Sequence, residues 1–157
     1  MGLTSNEEEI IDLDLGAVKK QRFRINGDNS KILELNTSDV NIVVRLNKIY
    51  PKLQKLAEDA LTFSQSELTD NTEEALNKFA TKLETIDDKM SKLIDELFNA
   101  NVSEMCKDGG TMYDLYGGMF RFEHIINKLS ELYTTNFSKE FEQMRKRIDK
   151  HTGKYIK

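Results

Sequence analysis

The one pair of side chains whose types suggest covalent chemistry is Cys106 with His124. A thiol nucleophile needs a base within hydrogen-bond reach and a third group to orient that base, and Asp108, Asp114 and Glu123 are the carboxylates close in sequence. No local signature of a cysteine hydrolase surrounds Cys106, so the preferred reading is a half-buried thiol ending a short helix and an imidazole on a helix face. Cys106, His124 and His151 stand at no metal-ligand spacing, and the acids follow neither the EF-hand nor the HExxH order. The pairs Gly109-Gly110 and Gly117-Gly118 lack the strand, helix and Lys-Ser or Lys-Thr context of a phosphate-cradling loop. The expectation is a non-enzymatic interaction protein with no catalytic residue, cofactor, metal or small-molecule substrate.

Those residues must be positioned by elements that are mostly helical. Residues 20–25 and 31–35 read as a short hairpin around Asn26-Gly27-Asp28-Asn29, since Asn-Gly suits the positive φ values of a tight turn. Phe23 and Ile25 share one strand face and can pack with Leu33 and Leu35 while Arg22 and Arg24 stay wet. An isolated hairpin is marginal in water, so it must lean on helices or on another chain. Thr37, Ser38 and Asp39 are all good N-caps for a helix in which Val40, Val43, Leu46, Ile49, Tyr50, Leu53 and Leu56 recur at helical spacing. Pro51 falls inside that pattern and predicts a kink or short break near Tyr50. Residues 64–72 form the connection, with Thr72 and Glu74 at the next helix start.

The following helix, residues 73–99, carries Leu76, Phe79, Leu83, Ile86, Met90, Leu93 and Leu97 in alternating steps of three and four. That seam fits either a coiled-coil partner helix or a long helix packing inside a small bundle, and at three heptads the second is preferred. Asn101 and Glu104 resemble a capping box for a short helix at residues 102–107. The paired glycines around residues 111–116 predict a loop or a tiny hairpin. A last helical region starts near Phe120, is open to interruption at Thr134-Thr135-Asn136, and ends by His151-Thr152-Gly153. The fold class is therefore mainly α, with a small N-terminal β-hairpin followed by a bundle of about four helices.

Residues 1–19 form an acidic N-terminal tail, residues 20–152 a single domain, and residues 153–157 a short C-terminal tail. Ile11, Leu13 and Leu15 alternate with acids, which leaves two outcomes open, an edge strand or a tail with too little apolar area to order itself. The net charge of −4 comes from largely interleaved acids and bases, which argues against a nucleic-acid partner. No apolar run approaches the roughly 20 residues that cross a bilayer, and with the lone Cys106 unable to form an internal disulfide a reducing cytoplasmic setting is expected. Only 38% of the residues are hydrophobic, so the core is thin and self-association is expected. Arg145, Lys146 and Lys150 head a basic C-terminal end opposite the acids of residues 7–14, giving either head-to-tail attraction between subunits or a solvated helix end stabilised by its own dipole. The candidate interaction surface is the seam from Leu76 to Leu97 together with those three cations.

Two blocks of sequence add to this. Phe23-Arg24-Ile25-Asn26-Gly27-Asp28, Leu33-Glu34-Leu35-Asn36-Thr37-Ser38-Asp39 and Arg45-Leu46 make the first. Asp87-Asp88-Lys89-Met90, Leu93-Ile94, Phe98, Asn101-Val102-Ser103-Glu104, Met112-Tyr113-Asp114 and Phe120-Arg121-Phe122-Glu123-His124-Ile125-Ile126 make the second. Together they resemble small tail assembly chaperones of long-tailed, siphovirus-like phages and prophages of Gram-positive bacteria. The resemblance implies a helical, non-enzymatic protein of the bacterial host cytoplasm that coats the long tape measure protein until tube subunits polymerise around it. It also implies a longer product made by ribosomal frameshifting near Gly153-Lys154. Two alternatives stand beside it, an inhibitor that binds a host defence protein and a structural coiled-coil subunit of a particle.

Overall fold

The computed structural model describes residues 8–65, 72–133 and 146 of the chain. The hairpin comes first, with β1 at Gln21–Ile25 and β2 at Asp28–Leu35 in antiparallel pairing. Asn26 and Gly27 turn between them with φ of 52° and 72°, the doubly positive pattern of a two-residue hairpin loop. The register then shifts between Arg24 and Ile25, leaving residues 29–31 without a partner on β1, and Asp28 Oδ1 braces this bulge by accepting from the Ser30 amide at 2.9 Å. Phe23 faces Leu33 and Gln21 faces Leu35, so one side of the ribbon carries both fully buried leucines. On the other side Arg22 meets Glu34 at 3.7 Å in solvent.

Helix α1 covers Asn41–Gln65. Asp39 stands just outside it, its Oδ1 accepting from the Asn41 amide at 3.0 Å and its Oδ2 from Arg45, so the cap expected there acts two residues ahead of the helix. Of the kink or short break expected near Tyr50, the break does not occur, and α1 runs through Pro51. A proline inside a helix costs about 3 kcal/mol. Ile49, Tyr50 and Leu53 around it are all buried, and each such side chain contributes roughly 1.5–3 kcal/mol. Packing on both sides of Pro51 therefore outweighs the lost hydrogen bond.

Helix α2 covers Glu73–Phe98, with the Thr72 hydroxyl accepting from the Ala75 amide at its start and Asn99 in the left-handed region at φ 49° at its end. It packs along α1. Helix α3, Val102–Cys106, sits against β2 and α2. Asn101 makes no side-chain cap for α3; the Asp95 carboxylate, reaching across from α2, accepts from the Ser103 amide at 2.7 Å and hydroxyl at 2.8 Å instead. The tiny hairpin predicted at the glycine pairs is present as β3, Leu115–Tyr116, and β4, Met119–Phe120. A Cβ at Gly110, upstream of it, would stand 2.2 Å from Asp114 Oδ2 and 2.8 Å from Arg121 Nη2, so a larger residue there would have to shift that ion pair.

Helix α4 covers Arg121–Ser130. Glu123 accepts from the Phe120 amide at 3.2 Å through Oε1 and from the Tyr50 hydroxyl at 2.8 Å through Oε2, which ties α4 to α1. Leu33, Leu35, Ile42, Leu53, Met90, Ile94, Leu97, Val102, Met112 and Phe122 form one continuous core, so hairpin and helices are a single packed unit. Residues 8–20 form no strand, and Ile10, Ile11, Leu13, Leu15 and Val18 are all exposed. The possible interruption at Thr134-Thr135-Asn136 and the helix end at His151 lie outside the described residues. So does the C-terminal tail with Gly153-Lys154.

Candidate functional site

The thiol and imidazole do come together. Cys106 at the end of α3 and His124 on α4 line one cavity of about 320 Å³, together with Arg24, Ile25, Asn26 and Tyr116. Their environment does not arm them. Burial, reinforced by the Asp95 charge, pushes the Cys106 thiol up to about 11, so it stays protonated and weakly nucleophilic near neutrality. His124 stacks on Tyr116 with centroids 4.0 Å apart, and its Nε2 lies 2.8 Å from the Tyr116 carbonyl oxygen. Two of the three nearby carboxylates are engaged elsewhere. Asp114 accepts from the Thr111 amide and hydroxyl and from Arg121, Glu123 from Tyr50 and Phe120, and Asp108 is exposed in a turn at φ 51°. Among the described residues no group of three or more His, Cys, Asp or Glu could hold a metal ion, and no helix is long and apolar enough to cross a membrane.

The heptad seam divides. Ile86, Met90 and Leu97 are buried in the core. Leu83 is half-buried against that core, and Phe79 stacks on Phe63 of α1 with centroids 4.9 Å apart. Leu76 is 49% exposed. Leu93 is half-buried and looks into a groove. Lys146 is exposed, whereas Arg145 and Lys150 lie outside the described residues.

That groove is the feature with the chemistry of a binding site. It has a volume of about 620 Å³, runs between α1 and α2, and is lined by Pro51, Leu56 and Leu93 with Lys52, Lys55, Lys89 and Lys92 around them. A second depression of about 610 Å³ shares Leu56 and Lys89 with it and continues along the same helix pair past Phe63, Lys82 and Ile86. Helical spacing builds the rim: Lys52 and Lys55 stand three apart on α1, Lys89 and Lys92 three apart on α2, so each pair shares a face with its leucine. Lysine stems are apolar and their ammonium ends reach water, which makes such a rim compatible with an apolar floor. Lys55 is held charged by Asp59 at 2.8 Å, and Lys82 lies 4.3 Å from the centre of the Phe63 ring. Among the described residues Lys52, Lys89 and Lys92 make no ion pair.

Of these lining residues the sequence pattern singles out only Leu93, Ile86 and, within the first helix, Leu56. The lysine pairs were a legible signal, each being two cations on one helix face beside a leucine, but their confrontation across two helices 37 residues apart was not. Comparison with models of known families, with curated proteins and with solved structures finds no match.

Proposed function

We propose that the chain is a non-enzymatic assembly chaperone of the phage tail type, which holds helical segments of a tape measure protein until tube subunits displace it. The observation that carries this reading is the lysine-rimmed apolar groove between α1 and α2. A groove of that kind accepts the apolar face of an amphipathic helix flanked by acids, and weak binding repeated along a long client gains by multivalency. Nothing in such a cycle requires a nucleophile, a metal or a fuel.

Asp87 takes the Met112 amide, Asp114 takes Arg121, and Glu123 takes the Phe120 amide, so the second sequence block is one interlocking structural unit. That unit fixes α2 and leaves the groove face of the same helix open. The exposed charges of the groove supply the binding.

Co-expression with the tape measure protein that this reading expects to be encoded beside the chain's gene tests it. The wild type is expected to keep that client soluble, while Leu93→Asp with Lys92→Glu loses about tenfold or more in affinity, equivalent to about 1.4 kcal/mol. Far-UV circular dichroism should be unchanged for the variant, because both positions border the groove. A client equally soluble with and without the chain removes the chaperone reading.

A further inference from the structure

We propose that the groove between α1 and α2 of one copy receives the acidic, aliphatic segment at residues 8–15 of a second copy. This contact is between copies of the chain, and because it uses the groove that the proposed function gives to the client, segment and client compete for it. The segment presents Ile10, Ile11, Leu13 and Leu15, exposed by 86, 74, 75 and 88%. Four adjoining branched side chains without cover form an apolar surface that calls for a partner. In an extended chain Ile11, Leu13 and Leu15 point to one side and Asp12 and Asp14 to the other. Laid in the groove, the first three meet Pro51, Leu56 and Leu93, while the acids meet the lysines of the rim.

The charges match in sign. By the same alternation Glu8 lies on the side of Asp12 and Asp14, and these acids face Lys52, Lys55, Lys89 and Lys92, of which only Lys55 has an ion-pair partner, Asp59, among the described residues. The span from Ile11 to Leu15 is about 13 Å at about 3.3 Å per residue, and the groove continues beyond Leu56 to receive the rest. None of residues 8–15 lines the groove of its own chain. The chain bends between the segment and β1, where the Asp14 carboxylate accepts from the Gly16 amide at 3.0 Å and Gly16 takes φ of 79°. A second copy is thus the occupant, and reciprocal exchange of the segment makes a closed two-fold dimer.

Sedimentation velocity of the full-length chain over a range of concentrations, at low and high salt, tests this with a charge swap. The wild type should associate, and more weakly as salt rises. Asp12→Lys with Asp14→Lys, and separately Lys89→Glu with Lys92→Glu, should each weaken self-association by about tenfold or more through like-charge opposition. Circular dichroism should match the wild type, since all four side chains are exposed. An equimolar mixture of the two variants should regain association as a heterodimer, because each segment then finds a groove of opposite charge. A monomeric wild type, variants that associate like the wild type, or a mixture that stays monomeric would each overturn the proposal, the last by assigning the segment to its own chain.

Discussion

Over residues 86–98 helix α2 buries Ile86, Met90, Ser91, Ile94, Leu97 and Phe98, whereas over residues 73–83 of the same helix none is buried. The first stretch is covered on several sides. Asp87 accepts from the Met112 amide at 2.8 Å and pairs with Lys107 at 2.7 Å, and Asp95 holds the start of α3. The second stretch touches α1 through the Phe79 and Phe63 rings, and its ion pair, Lys78 with Glu74 at 3.5 Å, lies in solvent. One uninterrupted apolar spacing therefore runs from a fastened end into an open one. Periodicity specifies which face of a helix is apolar; what covers that face depends on elements elsewhere in the chain. The groove lies beside the fastened stretch, on the face of α2 that carries Lys89, Lys92 and Leu93.

The largest effect should come from cutting the same seam at its two ends. Leu97 is fully buried, so Leu97→Ala should cost about 3 kcal/mol by lost transfer energy and a residual cavity. Leu76 is half exposed, and Leu76→Ala should stay within about 0.5 kcal/mol. Urea unfolding of both variants measures the contrast. Equal costs at the two positions would break the comparison, because the open end would then be as well covered as the fastened one.

Next in size are the carboxylates. Asp87→Ala strands the amide of the fully buried Met112 and should cost about 2 kcal/mol. Asp87→Asn keeps an oxygen for that amide and should recover part of the loss. Glu74→Ala in the open end removes an exposed pair worth less than about 1 kcal/mol, and its midpoint should barely move. A Glu74 variant as damaging as Asp87→Ala would show that the open end is fastened by charge.

The two ends also differ in how far they could be read from sequence. The Asn26-Gly27 turn, the pairing of Phe23 with Leu33, the Thr72 cap, the bounds of α2 and the glycine-paired hairpin all follow from short-range chemistry, and all are present. Asp87 and Asp95 bind amides 25 and 8 residues away, and such contacts leave no periodic trace. At Pro51 the break that a local penalty allows is absent, because burial of Ile49, Tyr50 and Leu53 overrides it. The groove depends on how α1 and α2 turn toward each other, so its lysines were visible only as separate pairs. For residues 8–20 local pattern left strand and tail open, and among the described residues the segment joins neither two-stranded sheet.

The smallest effect concerns the tie between α4 and α1, and it is a dependence on pH. Glu123 is almost fully buried, and burial raises its carboxyl above the ordinary 4.5, opposed by the Tyr50 hydroxyl and the Phe120 amide that donate to it. An unfolded chain releases this proton near 4.5, while the folded chain holds it to higher pH. Between those values the unfolded state binds fewer protons, so stability from this group is greatest below 4.5, falls as pH rises, and stays lower above the folded value. Glu123→Gln cannot titrate. Its amide oxygen can accept from Phe120 and its NH2 can donate to the Tyr50 oxygen, so stability near neutrality should remain within about 1 kcal/mol of the wild type. The measurable change is the loss of the downward slope in melting temperature as pH rises from 4.5. An unchanged slope in the variant would assign that dependence to other carboxylates and leave the Glu123 tie as a pH-insensitive hydrogen bond. A variant that lost the slope and several kcal/mol at neutrality would instead show that the charge itself fastens α4 to Tyr50 of α1.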